Sequence, residues 1–221
     1  MQKMFGAWLA SMLLLSMLTY GQAATETPDY TRPATIGVQF FLNDYKTAKD
    51  IRATSISTVL DKKQFGKIKE MSPGLAIFYT KGINNHLDYA VTAAGSFVTY
   101  TLQNRPENTQ ASDKFLLEVD ASVIGKMMPD KYWIIPTVNL GVGISKYGAY
   151  YGTFIPAGVG LQVNIFDEAF VMFNSQYRIP ITETANYHFY HSIGIAGTLN
   201  KKGDNSTGKL KPRPEFPLVA R

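Results

Sequence analysis

The stretch FIPAGVGLQVNIF, Phe154 to Phe166, decides the fold. Ile155, Ala157, Val159, Leu161, Val163 and Ile165 fall on one side of an extended chain. Gly158, Gly160, Gln162 and Asn164 fall on the other. Successive side chains of a strand face opposite ways, so one face is greasy and the other small or polar. Seven stretches carry this period of two, and an eighth fits less cleanly. Repeated around a closed sheet, the pattern predicts a transmembrane β-barrel with lipid outside and a polar lumen.

The remaining strands are expected at about 35–47, 72–82, 87–103, 113–127, 132–146, 169–181 and 187–199. The outward rows include Ile36, Val38, Phe40 and Leu42 in the first and Val138, Leu140, Val142 and Ile144 in the fifth. Asn84-Asn85, Pro129-Asp130 and Asp167-Glu168 mark tight turns. The other connections, about 48–71, 104–112, 147–152 and 182–186, are longer or more polar. Short turns at one end and longer loops at the other suit an outer-membrane barrel, and an even strand number leaves both chain ends in the periplasm.

Two prolines, Pro136 and Pro156, are expected on outward positions, each marking a bulge or strand end because proline removes a ladder donor. Aromatics gather near strand ends: Tyr132, Trp133, Tyr147, Tyr150, Tyr151, Phe154, Phe166, Phe170, Tyr177 and Tyr187. They suit girdles at the headgroup levels, where a ring is half buried and half wet. A soluble β-sandwich or an inward-greasy barrel also alternates. Gly141, Gly143, Gly158 and Gly160 opposite continuous aliphatic rows favour the membrane, because small residues fit a narrow lumen.

The first residues read as an export signal. Lys3 precedes an apolar run of 12 residues, Ala7 to Leu18, and Gly21-Gln22-Ala23 offers a cleavage site after Ala23, with Ala24 as the alternative. A membrane-crossing helix needs about 20 apolar residues, and no later segment has them. The chain holds no cysteine, hence no disulfide framework. The domain reading is a signal peptide over 1–23, a periplasmic lead-in over 24–34, the barrel over 35–199 and a flexible basic periplasmic tail over 200–221.

The formal net charge is +5, and the 200–221 tail alone holds +4. The body from 24 to 199 balances at 15 basic against 15 acidic residues. A basic excess confined to a tail does not make a nucleic-acid-binding face, so no nucleic-acid partner is expected.

Inside the barrel, Glu118, Asp120 and Arg178 are expected to pair, because buried charges must. Asp88 and Lys126 fall near the periplasmic mouth. Asn139, Gln162, Asn164, Asn174 and Gln176 are the expected polar partners. An eight-stranded barrel is just filled by its own side chains, so this set reads as a plug. The alternative is a gate whose re-pairing opens a narrow ion path. His188, His191 and Ser192 raise the question of a lipid-modifying enzyme. His188 and Ser192 share a face but sit four residues apart on one strand, His191 points to lipid, and no acid is expected beside either histidine. No metal-ligand spacing and no glycine-rich phosphate loop occurs, so neither metal nor cofactor is expected. The 49–70 loop is lysine-rich with scattered apolar residues, and reads as a mobile external loop or a short helix covering the mouth.

Three segments resemble a known family: QYRIPITETANYHFYHSIGIAGTL (Gln176–Leu199), TIGVQFFL (Thr35–Leu42) and VNLGVGISKYG (Val138–Gly148). Over about residues 35–200 the chain resembles the N-terminal transmembrane barrel of outer-membrane protein A (OmpA)-like proteins, in the form found in Bacteroidota. The resemblance implies an integral outer-membrane barrel of structural role, in contact with outer-membrane lipid and lipopolysaccharide and folded by the barrel-assembly machinery. Such proteins continue into a peptidoglycan-binding domain, which the sequence after Leu199 does not resemble. The 200–221 tail is expected to make at most a weak periplasmic or peptidoglycan contact.

Overall fold

A computed structural model describes residues 31–98, 114–165 and 169–199. The proposed signal peptide and basic tail, residues 24–30 of the lead-in, the end of the expected third strand, the 104–112 connection, Phe166 and the Asp167-Glu168 turn lie outside these residues. Eight strands run in chain order: β1 (Thr35–Asp44), β2 (Ser72–Gly82), β3 (Leu87–Val98), β4 (Lys114–Lys126), β5 (Ile134–Tyr147), β6 (Tyr150–Ile165), β7 (Ala169–Pro180) and β8 (His188–Thr198). Each pairs antiparallel with the next, and β1 closes on β8 from Thr35↔Thr198 to Asp44↔Phe189. Closure leaves no strand edge unpaired, which a sheet in lipid requires.

The aliphatic rows are on the outside. Val142 is 63% exposed, and Val38, Ile77, Leu140, Ile144 and Val159 are similarly bare. Gln39, Glu118, Asp120, Asn139, Gln162 and Arg178 are buried in the interior. A water-soluble barrel would place these sets the other way round. The fold is therefore a closed, eight-stranded, antiparallel barrel of the outer-membrane type. Among the described residues no helix is long and apolar enough to cross a membrane.

One end, here the terminus end, carries Thr35, Thr198, the short β2–β3 connection and the β4–β5 connection, which spans residues 127–133 and is longer than the tight turn expected at Pro129-Asp130. At the first, the Asn84 side-chain oxygen accepts from the amides of His86 and Leu87, both at 2.8 Å. That bond substitutes for a backbone turn contact and is why asparagine suits the corner. The opposite, loop end carries the β1–β2 excursion and the β7–β8 connection.

Several expectations fail in detail. The first strand stops at Asp44 and not at 47, because the Asp44 carboxylate accepts from the Thr47 amide at 2.8 Å and caps a helix, α1 (Tyr45–Ala53). A second short helix, α2 (Ile56–Asp61), is capped by Ser55, and a 3-10 turn covers Ile68–Glu70. The excursion is thus folded. The 147–152 loop is in fact a two-residue hairpin between Tyr147 and Tyr150, with Gly148 at φ +58° supplying the left-handed conformation. The fifth strand starts at Ile134 and the sixth at Tyr150.

Pro156 is a correction too. It shares the inward parity of Phe154 and is buried, while Pro136 does face outward. Neither makes a bulge. Pairing of β5 with β6 passes from Leu140↔Ala157 to Gly143↔Phe154 in unchanged register, skipping only the pairs opposite Pro156 and Ile155.

Candidate functional site: the barrel lumen and its mouths

Two charge clusters fill the lumen at different heights. Toward the loop end, Arg178 on β7 reaches β4 on the far wall. Its Nη1 donates to Glu118 Oε2 at 2.6 Å, and its Nη2 donates to Asp120 Oδ1 at 3.1 Å. The guanidinium lies between two rings, 3.9 Å from the Tyr190 centroid and 4.9 Å from that of Phe154. A planar cation with donors on its edge and weak hydration on its faces is suited to this slot; a lysine is not. Tyr190 in turn accepts from Gln39 Nε2 at 2.7 Å and stacks on Phe41.

At the terminus end, Lys126 lies 2.7 Å from both Asp88 and Asp130. Arg32, from the lead-in segment, lies 3.3 Å from Asp88 and 2.6 Å from Asp130. Its guanidinium caps the Phe170 ring at 4.1 Å. The Arg32 carbonyl accepts from the Gly82 amide at 3.0 Å, which pins the lead-in to β2. Gln162 donates to Asp130 at 3.1 Å and to Asn164 at 2.6 Å. Asn164 donates to the Asp130 and Tyr132 carbonyls. Burial raises the Asp130 pKa, but the charges and hydrogen bonds of Arg32 and Lys126 outweigh it and hold the carboxyl below its ordinary value.

Large rings occupy the space between and above the clusters. Phe78, Phe170, Met172 and Ala196 form one buried group. Tyr45, Val98, Leu116 and Tyr147 form another under the loop end. The expected placement of Tyr147, Phe154 and Phe170 in headgroup girdles is therefore wrong: all three point into the lumen. Inward glycines make room for such rings. A Cβ at Gly143 would sit 2.6 Å from a Phe154 ring carbon, and one at Gly37 would sit 2.5 Å from Phe78. Small residues thus serve a lumen that is crowded, with ring facing glycine across the strands.

Among the described residues, two small openings lie within the lumen. Cavities of about 10 and 20 Å³ lie along the axis. The first is lined by Asp120, Asn139, Asn174 and Gln176, so those expected polar partners do gather around the Arg178 cluster. Gln162 and Asn164 belong to the terminus-end cluster instead. A larger cleft of about 540 Å³ lies outside the lumen at the loop end, between α1 and the β7–β8 connection, where Lys49, Arg52, Glu183 and Tyr187 line it.

The histidines depart from expectation in one respect. His188 is not without an acid: its Nε2 lies 3.5 Å from Glu118 Oε1, and Tyr45 packs on its ring at 4.6 Å. His191 does face outward, where its Nδ1 hydrogen-bonds Ser175 across the β7–β8 pair at 3.0 Å. Mutual satisfaction of two polar groups on an apolar wall accounts for that pair.

Arg32 and Asp130 are the site residues that sequence reading missed. The i,i+4 spacing of Lys126 and Asp130 was a usable signal. Nothing in the sequence ties Arg32 to the lumen.

No family model matches the chain, and no curated protein matches it. Among solved structures it is similar to the N-terminal β-barrel domain of Pseudomonas aeruginosa OprF, at 12% identity and a TM-score of 0.46, covering 76% of this chain and 98% of that one. It is likewise similar to Neisserial surface protein A (NspA), at 13% identity and a TM-score of 0.44, covering 75% of this chain and 95% of that one. A third is Ail, the attachment invasion locus protein of Yersinia pestis, at 12% identity and a TM-score of 0.42, covering 76% of this chain and 96% of that one.

Proposed function

We propose that this protein is an exported outer-membrane scaffold, with its terminus end toward the periplasm, a sealed lumen, and a folded loop layer displayed outside. The observation that carries this reading is the inversion of polarity combined with the filled axis. Aliphatic rows face out, two ion-pair clusters face in, and the two lumen cavities among the described residues measure about 10 and 20 Å³. A space of that size holds about one water and no hydrated ion. The barrel belongs to the bilayer and offers no path through it.

Export by the 1–23 signal peptide, insertion by the barrel-assembly machinery, and lipid and lipopolysaccharide as the surrounding solvent complete the proposal. The basic 200–221 tail makes at most a weak contact with the periplasmic wall. No chemistry is assigned to the lumen. Two cations meet two acids in the terminus-end cluster, Arg178 serves two carboxylates in the other, and both clusters fill the barrel.

The narrow-pore alternative draws on one observation. Arg178 Nε and Asp120 Oδ2 are buried without a hydrogen-bond partner, so the cluster has valence left for a second pairing arrangement. Planar-bilayer recording on purified protein separates the two. A scaffold gives no unitary currents, and Arg178→Ala raises them only if re-pairing gates a path.

A further inference from the structure

We propose that the β1–β2 excursion, residues 45–71, is an interfacial anchor that seats on the anionic headgroup layer of the leaflet at the loop end. The inference rests on the membrane reading above and adds a specific partner surface to it.

The excursion straddles the barrel rim. On the inner side, Tyr45 fills the mouth beside Val98, Leu116 and Tyr147. On the outer side, Arg52 covers the Tyr187 ring at 3.7 Å, and Phe65 meets Phe189 edge-on at 5.8 Å. Tyr187 and Phe189 both pack on Tyr177, 5.9 and 4.9 Å away, on the lipid-facing wall. The excursion is therefore continuous with the outward aromatic patch of β7 and β8. It does not stand clear of the membrane plane.

Its free surface has two kinds of residue. Ile56, Leu60 and Ile68 are exposed, Ile68 to 71%, and Phe65 is partly so. In a water-facing loop, four large apolar residues within one short excursion lack a reason. The second kind is basic: the excursion holds seven lysines and arginines against three acids, a net of +4. Four of these, Lys62, Lys63, Lys67 and Lys69, fall within eight residues, interleaved with Phe65 and Ile68. Apolar side chains flanked by lysines on a folded, rim-tethered segment fit a lipid interface. The apolar groups enter the headgroup boundary and the ammonium groups meet lipid phosphates. The Lys46–Glu70 ion pair at 2.6 Å and the bond from the Gly66 amide to Thr47 hold the segment in shape.

The chain has no cysteine, so a single one is a unique probe site. Ile68→Cys, carrying an environment-sensitive fluorophore, is placed in nanodiscs of phosphatidylcholine with or without phosphatidylglycerol. Glu183→Cys, in the exposed β7–β8 connection, is the reference. In the anionic discs, quenching by acrylamide at 68 is expected to be at least about threefold weaker than at 183, with blue-shifted emission. Reversing Lys62, Lys63, Lys67 and Lys69 to Glu is expected to remove the difference. Leu60→Cys repeats the measurement if the first variant folds poorly. Equal quenching at 68 and 183 in anionic discs overturns the inference. So does protection that survives charge reversal or is as strong in neutral discs, because that points to packing on the barrel or on a second copy. Heat-dependent gel migration reports insertion separately. Loss of that shift counts against the membrane reading, whereas an inserted barrel with an exposed label defeats the anchor alone.

Discussion

Arg178 on β7 and Glu118 on β4 meet inside the lumen, three strands apart around the wall, Nη1 to Oε2, at 2.6 Å. Each is at least 98% buried, and each comes from a strand that does not border the other. A contact of this kind braces non-adjacent strands as well as pairing charge.

Removing one partner of a buried pair leaves an uncompensated charge and typically costs about 3–5 kcal/mol. Arg178→Ala strands two carboxylates, so it is expected to destabilise the barrel by about that much. Arg178→Lys is expected to recover only part, because an ammonium has neither the planar faces that fill the slot between Phe154 and Tyr190 nor two edge nitrogens to serve Glu118 and Asp120 separately. Urea unfolding in micelles, followed by tryptophan emission and gel migration, gives both values.

Gly143 pairs directly with Phe154, and a methyl group there would collide with the ring. Gly143→Ala is expected to cost about 1–3 kcal/mol as overpacking. In a Phe154→Ala background the same change is expected to cost little, since the atoms it strikes are gone. A double-mutant cycle reads the coupling.

Asp130 supplies a pH dependence of known sign. Its folded pKa lies below the ordinary 3.8, so its carboxylate contributes stability fully above the unfolded value. That contribution is lost as pH falls through the folded value. Acid is thus expected to loosen the terminus end, and Asp130→Asn to cost stability at neutral pH while flattening the acid limb. Urea midpoints for both proteins between neutral pH and strong acid check the sign.

Val142 is bare on the outer wall, where a soluble protein would tolerate a charge. In lipid, arginine at mid-depth on a barrel costs about 2–4 kcal/mol. Val142→Arg is expected to fall in that range, and Ser57→Arg, on exposed α2, within about 0.5 kcal/mol of zero. Unfolding from lipid vesicles compares them.

The barrel was legible because alternation with period two acts strand by strand, and the rows at Phe154–Phe166 and Val138–Ile144 carry it without interruption. The Glu118, Asp120 and Arg178 set was legible for the same reason: parity puts all three indoors. What parity does not report is side-chain size. It could place Phe154, Tyr147 and Phe170 at the right heights but did not separate a girdle ring from a lumen ring. Pro156 was misread against its own parity. The strand-to-helix switch at Asp44 depends on one capping bond to Thr47, a local signal hidden inside an apolar run. Arg32 joins the lumen through a lead-in whose course only the folded chain reveals.

The most direct measurement uses Val142→Cys, labelled with the same fluorophore, in bilayers containing lipids with a nitroxide at the acyl-chain centre. The account predicts strong quenching by that lipid and almost none by aqueous acrylamide. Efficient aqueous quenching at position 142, with the lipid-borne nitroxide silent, would contradict it.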